Sequence, residues 1–445
     1  MSAAVATSRS DGPDPAATLQ RLIAPNSIEG FLSQVWEQTC LHVSGSQNPD
    51  LSGYVRSLMS LDDIDRLLTT VYAAGLRPWD SVRLGRDGVL VPAEEFLRNR
   101  QGPIAEVDVD KVLALHRAGA SIILNAVQEA GGPVADLCSQ LSHFFGVYVQ
   151  ANAYVTPAGG QGFPIHHDTH DVFLLQMAGE KDWRLYGSPV ALALSPEGDG
   201  EVRARPEPST RLRLRTGELL YMPRGLEHEG VAGDAISFHL TIGVHPYTWS
   251  RLLRDVIAEL ENEDVEFRRS VAPRLGSVGD RGELIKETLR TLSTRLLDVE
   301  RAQRAANHKF SDIAGRIPDS PRGSLMQLYR QPEILLTTVV RAREPGDVEI
   351  TSTGDKALLV FGGRALTLPS FTEPQLRALL RGGPIRAEEL PSGLDDQARL
   401  VLVRRLVREG VLEVSAELSP PAPAATARRG EGQPPPAEEH AAARS

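Results

Sequence analysis

The densest group of reactive side chains lies in the stretch GFPIHHDTHDVFLLQ, where three histidines and two aspartates fill five of six consecutive positions. In a β-strand, residues i and i+2 face the same side, so His166 and Asp168 can direct an imidazole and a carboxylate at one ion. His167 then points to the opposite side. His170 and Asp171 follow the pair, and we expect them beside the site or at the surface. The sequence thus predicts two ligands of a metal centre.

A third ligand is available in the stretch TGELLYMPRGLEHEG, which offers His228 after an apolar strand and a Pro-Arg-Gly turn. Two imidazoles and one carboxylate on one face of an octahedral ion leave adjacent positions open, as a non-haem Fe(II) oxygenase requires. Three protein ligands and a water molecule also describe catalytic zinc. The residues alone therefore predict a metal site made of His166, Asp168 and His228, with iron oxygenation and zinc hydrolysis both open.

The elements that would hold these ligands are short and β-rich. Five short runs rich in β-forming residues are separated by glycines, prolines and aspartates: VYVQANAYVTP, DVFLLQMAG, KDWRLYG, RLRLRTGELLYMP and AISFHLTIGV. Two helices are predicted before them, one entered at Ser27 with Phe31, Val35 and Trp36 on one face, and one over 134–145. The central third of the chain is therefore predicted to be a β-sandwich or barrel.

The period of the apolar residues becomes helical after about residue 247. Two long amphipathic helices are predicted, WSRLLRDVIAELENEDVEFRRSV and GELIKETLRTLSTRLLDVERAQRAANHKF, and their apolar faces need a partner such as a second copy of the chain. Short strands, two helices and a closing hairpin over roughly 330–415 are typical of a winged helix. Both ends of the chain are poor in apolar residues and are expected to be disordered.

The composition restricts the possible functions. With 445 residues the chain is long enough for two or three domains, and its net charge of -10 argues against a bulk attraction to nucleic acid or anionic lipid. Two distant cysteines provide neither a disulfide framework nor a zinc-thiolate site. No targeting segment or membrane-spanning run is found, so we expect a cytoplasmic protein that does not enter a membrane.

The stretch NAYVTPAGGQGFPIHHDTHDVFLLQMAGEKDWRLY resembles the JmjC-type ribosomal oxygenases, a branch of the cupin superfamily that hydroxylates ribosomal proteins with Fe(II), 2-oxoglutarate and O2. The similarity continues at GELLYMPRGLEHEG and SFHLTIGV. It implies an α+β chain with a double-stranded β-helix (jelly-roll, cupin, JmjC) catalytic domain, then a helical dimerisation region and a C-terminal winged-helix domain. The implied boundaries are a tail at 1–18, these three domains at 19–247, 248–315 and 316–415, and a tail at 416–445.

The resemblance also implies roles for individual residues. The iron ligands fall on His166, Asp168 and His228, the same triad that the spacing predicts. The basic residue that anchors the distal carboxylate of 2-oxoglutarate falls on Lys181, which strand alternation places on one face with Trp183 and Leu185. Because an ammonium directed into an apolar barrel is costly unless an anion meets it, this role is physically reasonable. Three further polar side chains are implied beside cosubstrate and substrate: Asn152, Tyr154 and Thr241.

Two departures from the family pattern affect the expected target. A serine that helps to hold the target imidazole in the animal histidine hydroxylases corresponds to Gly243 here, and a glutamine aligns with Ile123 or a neighbour. Histidine as target therefore does not follow, and a ribosomal arginine or a biosynthetic peptide is equally open. The same oxidant can also demethylate. A different class of function, a non-catalytic metabolite-sensing cupin with a nucleic-acid-binding winged helix, is disfavoured by the negative charge and the few arginines of the last helix.

Overall fold

The computed structural model describes residues 14–72, 81–98, 106–194, 207–270, 281–296, 299–300, 333–343, 349–361, 364–381 and 383–415. Within these residues, no helix combines the length and the apolar character needed to span a bilayer. The described α-helices are α1 Pro15–Ile23, α2 Ile28–Gln34, α3 Pro49–Leu58, α4 Leu61–Leu67, α5 Val109–Arg117, α6 Pro133–Phe145, α7 Trp249–Glu263, α8 Arg281–Leu296, α9 Glu373–Leu379 and α10 Asp396–Arg408.

The strands fall into an N-terminal, a central and a C-terminal group. The N-terminal group is β1 Leu41–Val43, β2 Val82–Arg86, β3 Val89–Leu90, β4 Leu97–Arg98, β5 Glu106–Val107 and β6 Ser121–Leu124. The central group is β7 Val149–Thr156, β8 Asp171–Ala178, β9 Glu180–Leu185, β10 Thr210–Arg215, β11 Leu219–Met222, β12 His228–Ala232 and β13 Ser237–Val244. The C-terminal group is β14 Val339–Ala342, β15 Glu349–Thr353, β16 Lys356–Phe361, β17 Arg364–Pro369, β18 Ile385–Arg386 and β19 Leu412–Val414.

Two antiparallel sheets form the central domain. The larger sheet has the strand order β1-β11-β8-β13-β7-β6-β2-β3, and the smaller has the order β10-β9-β12. Strand β13 lies inside the larger sheet between β7 and β8, and all eight of its residues are buried. This pair of sheets agrees with the predicted β-sandwich or barrel and with the cupin fold that the resemblance implies, and it presents side chains from β7, β8, β9, β12 and β13 to one interior.

The larger sheet is buried on both faces. On β8, Phe173 and Leu175 join the main core together with residues of α1, α3 and α6, while Leu174 and Val172 face a second cluster that includes Trp183 of the smaller sheet. The near-continuous apolar sequence of β8 follows from this, because both of its faces lack solvent. Full burial of each such side chain contributes about 1.5–3 kcal/mol. The interior between the sheets is therefore held by apolar packing around a small polar site.

The chain enters this core earlier than predicted. Helix α1 begins at Pro15, and the side chain of Asp14 accepts a hydrogen bond from the Ala16 N–H and caps it. The predicted tail at 1–18 is therefore wrong for its last four residues, because α1 anchors Leu19 and Leu22 in the core. Residues 1–13 lie outside the described residues. The next helix, α2, is capped by the predicted residue, Ser27.

Two helices after the central domain begin where the sequence predicts them, but α7 ends at Glu263 and a 3-10 turn over Val265–Arg268 follows it. Helix α7 buries Val256 and Leu260 but leaves Trp249 80% and Leu253 51% exposed. Helix α8 exposes Ile285 among its apolar side chains. The last ten residues of the second predicted helix, 301–310, lie outside the described residues.

The C-terminal module has its own core, formed around α9 and α10. Two three-stranded sheets flank the helices, with the orders β18-β14-β19 and β15-β16-β17. The predicted closing hairpin is wrong for the described residues, because β19 after α10 pairs with β14, and the β15–β17 meander precedes both helices. The predicted tail at 416–445 lies outside the described residues.

Candidate metal centre

The three predicted ligands converge at one point of the interior. Ligand atoms of His166, Asp168 and His228 all lie within 4.8 Å of one another. His228 Nε2 lies 3.8 Å from Asp168 Oδ2, and the centroids of the two imidazoles are 4.5 Å apart. Imidazole nitrogens and carboxylate oxygens bind metals at about 2.0–2.2 Å, so adjacent ligand atoms of one ion lie roughly 3 Å apart. The three side chains would therefore need to close in by about an ångström to bind a common ion.

The backbone brings the two histidines together. His166 and His228 form an isolated β-bridge, with N–O distances of 3.2 and 2.8 Å in the two directions. His228 is the first residue of β12, whereas His166 and Asp168 lie in the segment between β7 and β8 and not within a strand. The prediction of a strand for the pair is therefore wrong. The Asp168 carbonyl accepts a hydrogen bond from the Gly225 N–H at 2.9 Å, which fastens the segment to the turn before His228.

The hydrogen bonds of both imidazoles leave Nε2 available for a metal. His166 Nδ1 lies 2.8 Å from the Pro164 carbonyl oxygen, and His228 Nδ1 lies 2.9 Å from the Leu226 carbonyl oxygen. A carbonyl oxygen only accepts, so each Nδ1 carries the proton and donates it. The Nε2 lone pair then faces the cavity, which is the arrangement found for ligating histidines in metalloproteins.

The protonation states suit a divalent cation. Burial, followed by the nearby His166, lowers the pKa of His228 to about 4. Burial would raise the pKa of Asp168, but the imidazoles of His228 and His166 outweigh it and lower the pKa. At neutral pH the His228 imidazole is therefore neutral and the Asp168 carboxylate is ionised, so both can bind a cation without losing a proton.

A buried ion-pair network holds the strand that carries His228. The neighbouring Glu229 is buried, and its carboxylate accepts hydrogen bonds from Arg184 at 2.9 Å, Tyr186 at 2.8 Å and Gln161 at 2.8 Å. These partners come from β9 and from the segment that leads to the triad. Glu229 thus connects the three pieces of backbone that position the ligands.

Lys181 is buried, and no acidic side chain of the described residues pairs with it. It lies on β9, on the same face as Trp183 and Leu185 as predicted, and it is 4% exposed. Burial lowers the pKa of its ammonium to about 7. Its Nζ lies 3.4 Å from Thr156 Oγ1 and 5.3 Å from the centre of the Trp183 ring, and no carboxylate of the described residues forms an ion pair with it. A buried cation with this environment fits an anionic ligand.

One cavity joins the triad to Lys181. Apart from these four residues, its lining consists of Ser121, Tyr154, Thr156, Gly162, Phe163, Leu174, Trp183, Gly230, His239 and Thr241. Two buried polar atoms among them, Trp183 Nε1 and His239 Nδ1, have no hydrogen-bond partner in the described part of the chain. The cavity thus combines a potential metal site, a cation and unused polar groups within an apolar wall, as ligand sites do.

The three other predicted residues are not equivalent. Tyr154 and Thr241 line the cavity, and the Tyr154 ring stacks on His239 with 4.8 Å between centroids. Asn152 pairs with Thr241 across the strands but does not line the cavity, because its Oδ1 accepts a hydrogen bond from the Ala126 N–H at 3.0 Å. In the structure, Asn152 therefore holds the backbone ahead of a 3-10 turn.

Three polar residues of the cavity were not predicted. His239 is two positions before Thr241 on β13, so strand alternation would place both on one face. Thr156 likewise follows Tyr154 by two positions on β7. Ser121 begins β6, distant in sequence, and no local pattern distinguishes it. Strand alternation would thus have been sufficient to predict two of these three residues, His239 and Thr156.

A histidine fills the space beside Gly243. A Cβ atom added to Gly243 would lie 2.3 Å from Cδ2 of His170, whose ring stacks on His245 with 4.8 Å between centroids and a 6° angle. The imidazole of His170 therefore occupies the space that the serine of the family pattern would fill at position 243. Ile123 is buried in β6 opposite Tyr154. Asp171 was expected beside the site or at the surface, but it is fully buried and forms an ion pair with Arg224.

The chemistry of these residues fits both groups that the sequence implies. Two imidazoles and a carboxylate with free Nε2 lone pairs fit a non-haem Fe(II) centre, and they also fit zinc. The buried ammonium of Lys181 on the wall of the same cavity fits the far carboxylate of a dicarboxylate whose other end reaches the metal, and a simple zinc hydrolase has no need of that charge.

The part of the chain that contains this site is similar to known proteins. Residues 128–252 match the family model of the JmjC domain. Ribosomal oxygenase 2 of Mus musculus is 32% identical over 271 residues, which cover 59% of this chain and 55% of that protein. The bifunctional lysine-specific demethylase and histidyl-hydroxylase NO66 of Dictyostelium discoideum is 32% identical over 262 residues, covering 57% of this chain and 48% of that protein.

Among solved structures, the ribosomal oxygenase YcfD of Escherichia coli overlaps 88% of this chain and 98% of its own, with a TM-score of 0.48 and 17% identity. The chain spans about half the length of the curated relatives named above. Residues 128–252 are thus similar to the JmjC domain, and somewhat more than half of the chain is similar to proteins named as ribosomal oxygenases.

Proposed function

We propose that this protein is an Fe(II)- and 2-oxoglutarate-dependent oxygenase that hydroxylates a side chain of a ribosomal protein. One observation carries the proposal. The ammonium of Lys181 is buried, has no carboxylate partner in the described part of the chain, and lines the same cavity as His166, Asp168 and His228. A metal site alone does not require this cation. A cosubstrate with a chelating end and a distal carboxylate uses both features.

Each residue has a defined task in this reaction. His166, Asp168 and His228 hold Fe(II), which together with 2-oxoglutarate and O2 supplies the oxidising power to convert a C–H bond into an alcohol. Lys181 binds the distal carboxylate and so fixes the direction in which the cosubstrate enters. Trp183 and other apolar lining groups keep water away from the reacting atoms.

The substrate class follows from the relatives, two of which carry names that denote ribosomal oxygenation and histidyl hydroxylation. We propose a ribosomal protein as substrate, with histidine or arginine as target. Stable hydroxylation is favoured over demethylation by the resemblance. The stacked rings of His170 and His245 beside Gly243 give this protein a different surface at the position where the family pattern has a serine.

The remaining parts of the chain are assigned by the same resemblance. We propose that α7 and α8 form a dimerisation region, because Trp249, Leu253 and Ile285 leave apolar surface uncovered in a single copy. The module after residue 333 is proposed to be the winged-helix domain, serving protein contacts rather than nucleic acid. Light scattering at micromolar concentration should give twice the mass of the chain, and a monomer would refute the dimer.

The first experiment needs no protein substrate. Purified protein, loaded anaerobically with Fe(II), should develop a weak visible charge-transfer absorption when 2-oxoglutarate is added. His228→Ala should abolish the absorption, and Lys181→Ala should shift its titration to higher 2-oxoglutarate concentration. His167→Ala, a neighbour outside the triad, is the matched control and should retain it.

A folded, iron-loaded wild type without this absorption would refute the 2-oxoglutarate mechanism. If the absorption appears, incubation with ribosomal proteins, 2-oxoglutarate and O2 should add the mass of one oxygen atom to one of them. That addition must be absent with His228→Ala.

A further inference from the structure

The C-terminal module carries a second concave surface, which shares no residue with the cavity of the metal site. One wall is a face of α10, and the other is the end of β17 with the 3-10 turn Ser370–Thr372 that follows it. Its volume of about 790 Å³ lies within the range of ligand-binding sites. We call this surface the α10 groove, and its lining includes Leu368, Phe371, Leu394, Val401, Arg405 and Arg408.

The α10 groove has exposed apolar side chains on both of its walls. Phe371 on the turn after β17 is 66% exposed, and Val401 on α10 is 62% exposed. Leu368 and Leu402 line the same groove, and Ala398, one turn before Val401 and Leu402, is a small residue that leaves room above the helix. Single exposed apolar residues are common on protein surfaces, but apolar residues on both walls of one groove are typical of a docking site.

The α10 groove follows the length of the helix. Its lining residues on α10 recur at intervals of three and four, from Asp395 through Ala398 and Val401 to Arg405 and Arg408, and so they share one face. At 1.5 Å per residue, the distance from Asp395 to Arg408 is roughly 20 Å. A groove of this length accommodates nearly four turns of helix or about six residues of extended chain. Its shape therefore fits a peptide segment.

One end of the α10 groove is basic. The side chains of Arg405 and Arg408 are 44% and 49% exposed there, at the last turn of α10. Both pair with the single carboxylate of Glu409, at 2.8 Å from Arg405 Nε and 3.5 Å from Arg408 Nη2. One carboxylate balances the charge of only one guanidinium, and each guanidinium has five donors. This end of the groove therefore retains positive charge and exposed hydrogen-bond donors.

We propose that the α10 groove docks an acidic peptide segment of a partner protein. Its large apolar side chains lie against Phe371 and Val401, and its carboxylates pair with Arg405 and Arg408. Charge complementarity selects this occupant, because a basic segment would be repelled at the arginine end. A nucleic acid needs phosphate contacts along its length, whereas the arginines lie at one end of an otherwise apolar surface.

This inference does not depend on the oxygenase reaction. It deepens only the proposed assignment of the C-terminal module to protein contacts, by giving the surface and the chemistry of the partner. The partner need not be the hydroxylated substrate, because the α10 groove and the metal-site cavity have no lining residue in common.

The test uses a display library of random dodecapeptides, selected on the immobilised full chain. The selected peptides are synthesised, and their affinities for wild type and variants are measured by fluorescence anisotropy. The variants are Phe371→Ser, Val401→Ser, the double variant Arg405→Ser/Arg408→Ser, and Leu358→Ser. Leu358 is the matched control, since it is 39% exposed on β16 of the same module and does not line the groove. Circular dichroism checks that each variant is folded.

We expect a group of selected peptides that is rich in Asp and Glu and has at least two large apolar side chains. Phe371→Ser and Val401→Ser should each weaken the binding of this group roughly tenfold, as the loss of an apolar anchor does. The double arginine variant should also bind more weakly, and its difference from wild type should shrink at about 0.5 M salt, because exposed charges are then screened. Leu358→Ser should bind as the wild type does.

Four results would overturn the inference, and none of them affects the charge-transfer test of the proposed oxygenase. No selected peptide depends on Phe371 or Val401, so the groove is not a docking site. The peptides that depend on these residues are neutral or basic. Duplex DNA binds the wild type and not the double arginine variant, so the groove contacts nucleic acid. Light scattering gives Val401→Ser a lower mass than the wild type, so a second copy of the chain fills the groove.

Discussion

The carboxylate of Asp171 lies 2.7 Å from Nη1 of Arg224, and the two side chains are 0% and 4% exposed. Tyr221 donates to the same carboxylate at 2.9 Å, and Arg224 also pairs with Glu37 from the segment after α2. Asp171 begins β8 three residues after Asp168, and Arg224 stands in the turn before β12. The pair therefore ties together the two stretches of backbone that carry the metal ligands.

Replacing Arg224 by methionine should destabilise the protein strongly, because Asp171 would remain buried without its cation. Breaking one half of a buried ion pair costs about 3–5 kcal/mol. The double variant Arg224→Met/Asp171→Asn should recover part of this loss. Urea unfolding followed by circular dichroism measures both. The exposed pair Arg213–Asp182, also 2.7 Å apart, is the control, and Arg213→Met should change little. Similar effects at both pairs would contradict this reading.

Binding of a divalent metal should stabilise the folded protein. Since the ion binds the native triad, the free energy of unfolding should rise by about 2.7 kcal/mol at a metal concentration 100 times the Kd. Mn(II) or Co(II) should therefore raise Tm, and a chelator should reverse the effect. His166→Ala, Asp168→Ala or His228→Ala should remove the shift and His167→Ala should keep it. A shift of equal size in His228→Ala would show that the metal binds elsewhere.

Binding of 2-oxoglutarate should weaken as pH rises. The pKa of Lys181 is lowered to about 7 by burial, so above neutrality the free protein must take up a proton to present an ammonium. The other groups around Lys181 stay neutral across this range, because burial lowers the pKa of His239 and of His228 well below 7 and raises that of Tyr154. Up to a tenfold loss per pH unit is expected between about pH 7 and pH 9.

Calorimetry of the Mn(II)-loaded protein in two buffers of different protonation enthalpy measures this directly. At pH 8, the uptake should approach one proton per 2-oxoglutarate bound. Lys181→Arg keeps its charge over the whole range and should give a flat profile. A wild-type affinity that is constant from pH 6 to pH 9 would exclude a neutral lysine in the free site.

A side chain at position 243 should collide with His170. The added methyl of Gly243→Ala would lie 2.3 Å from the ring, so His170 must leave its stack on His245. Overpacking of this kind costs about 1–3 kcal/mol. In a His170→Ala background the same substitution should cost much less, and a double-mutant cycle by urea unfolding measures the difference. Equal costs in both backgrounds would mean that the ring moves freely.

The sequence predicted the ligands because their chemistry is specific and close in sequence. His166 and Asp168 are two positions apart, and His228 follows a recognisable strand and turn. The strand β12 was missed, since HEGVA has a central glycine and no clear alternation. That glycine is explained by the structure, where a side chain at Gly230 would collide with Lys181 and Trp183. The space that Lys181 and Trp183 occupy thus requires a glycine at position 230, and this glycine weakens the sequence pattern by which the strand could have been predicted.

Contacts between distant parts of the chain were beyond prediction. Ser121 reaches the cavity only because β6 pairs with β7, and a buried serine has no sequence signature. The resemblance implies a place beside the cosubstrate for Asn152, on the strand face of Tyr154, but in the structure its amide oxygen accepts a hydrogen bond from the Ala126 N–H. Alternation reports which face a residue occupies, and not whether a neighbouring loop has covered it.

The bridge between His166 and His228 determines how much the two imidazoles must reorganise when a metal ion binds. The two peptide units are hydrogen-bonded to each other, and each Nδ1 is held by a carbonyl two residues away, so the spacing of the imidazoles is set by the main chain. Little ordering entropy remains to be lost when an ion binds. The frame is the same for ions of different radius, so discrimination among them falls to ligand type and to the supply of metal in the cell. The metal site is therefore preorganised by the backbone before an ion binds.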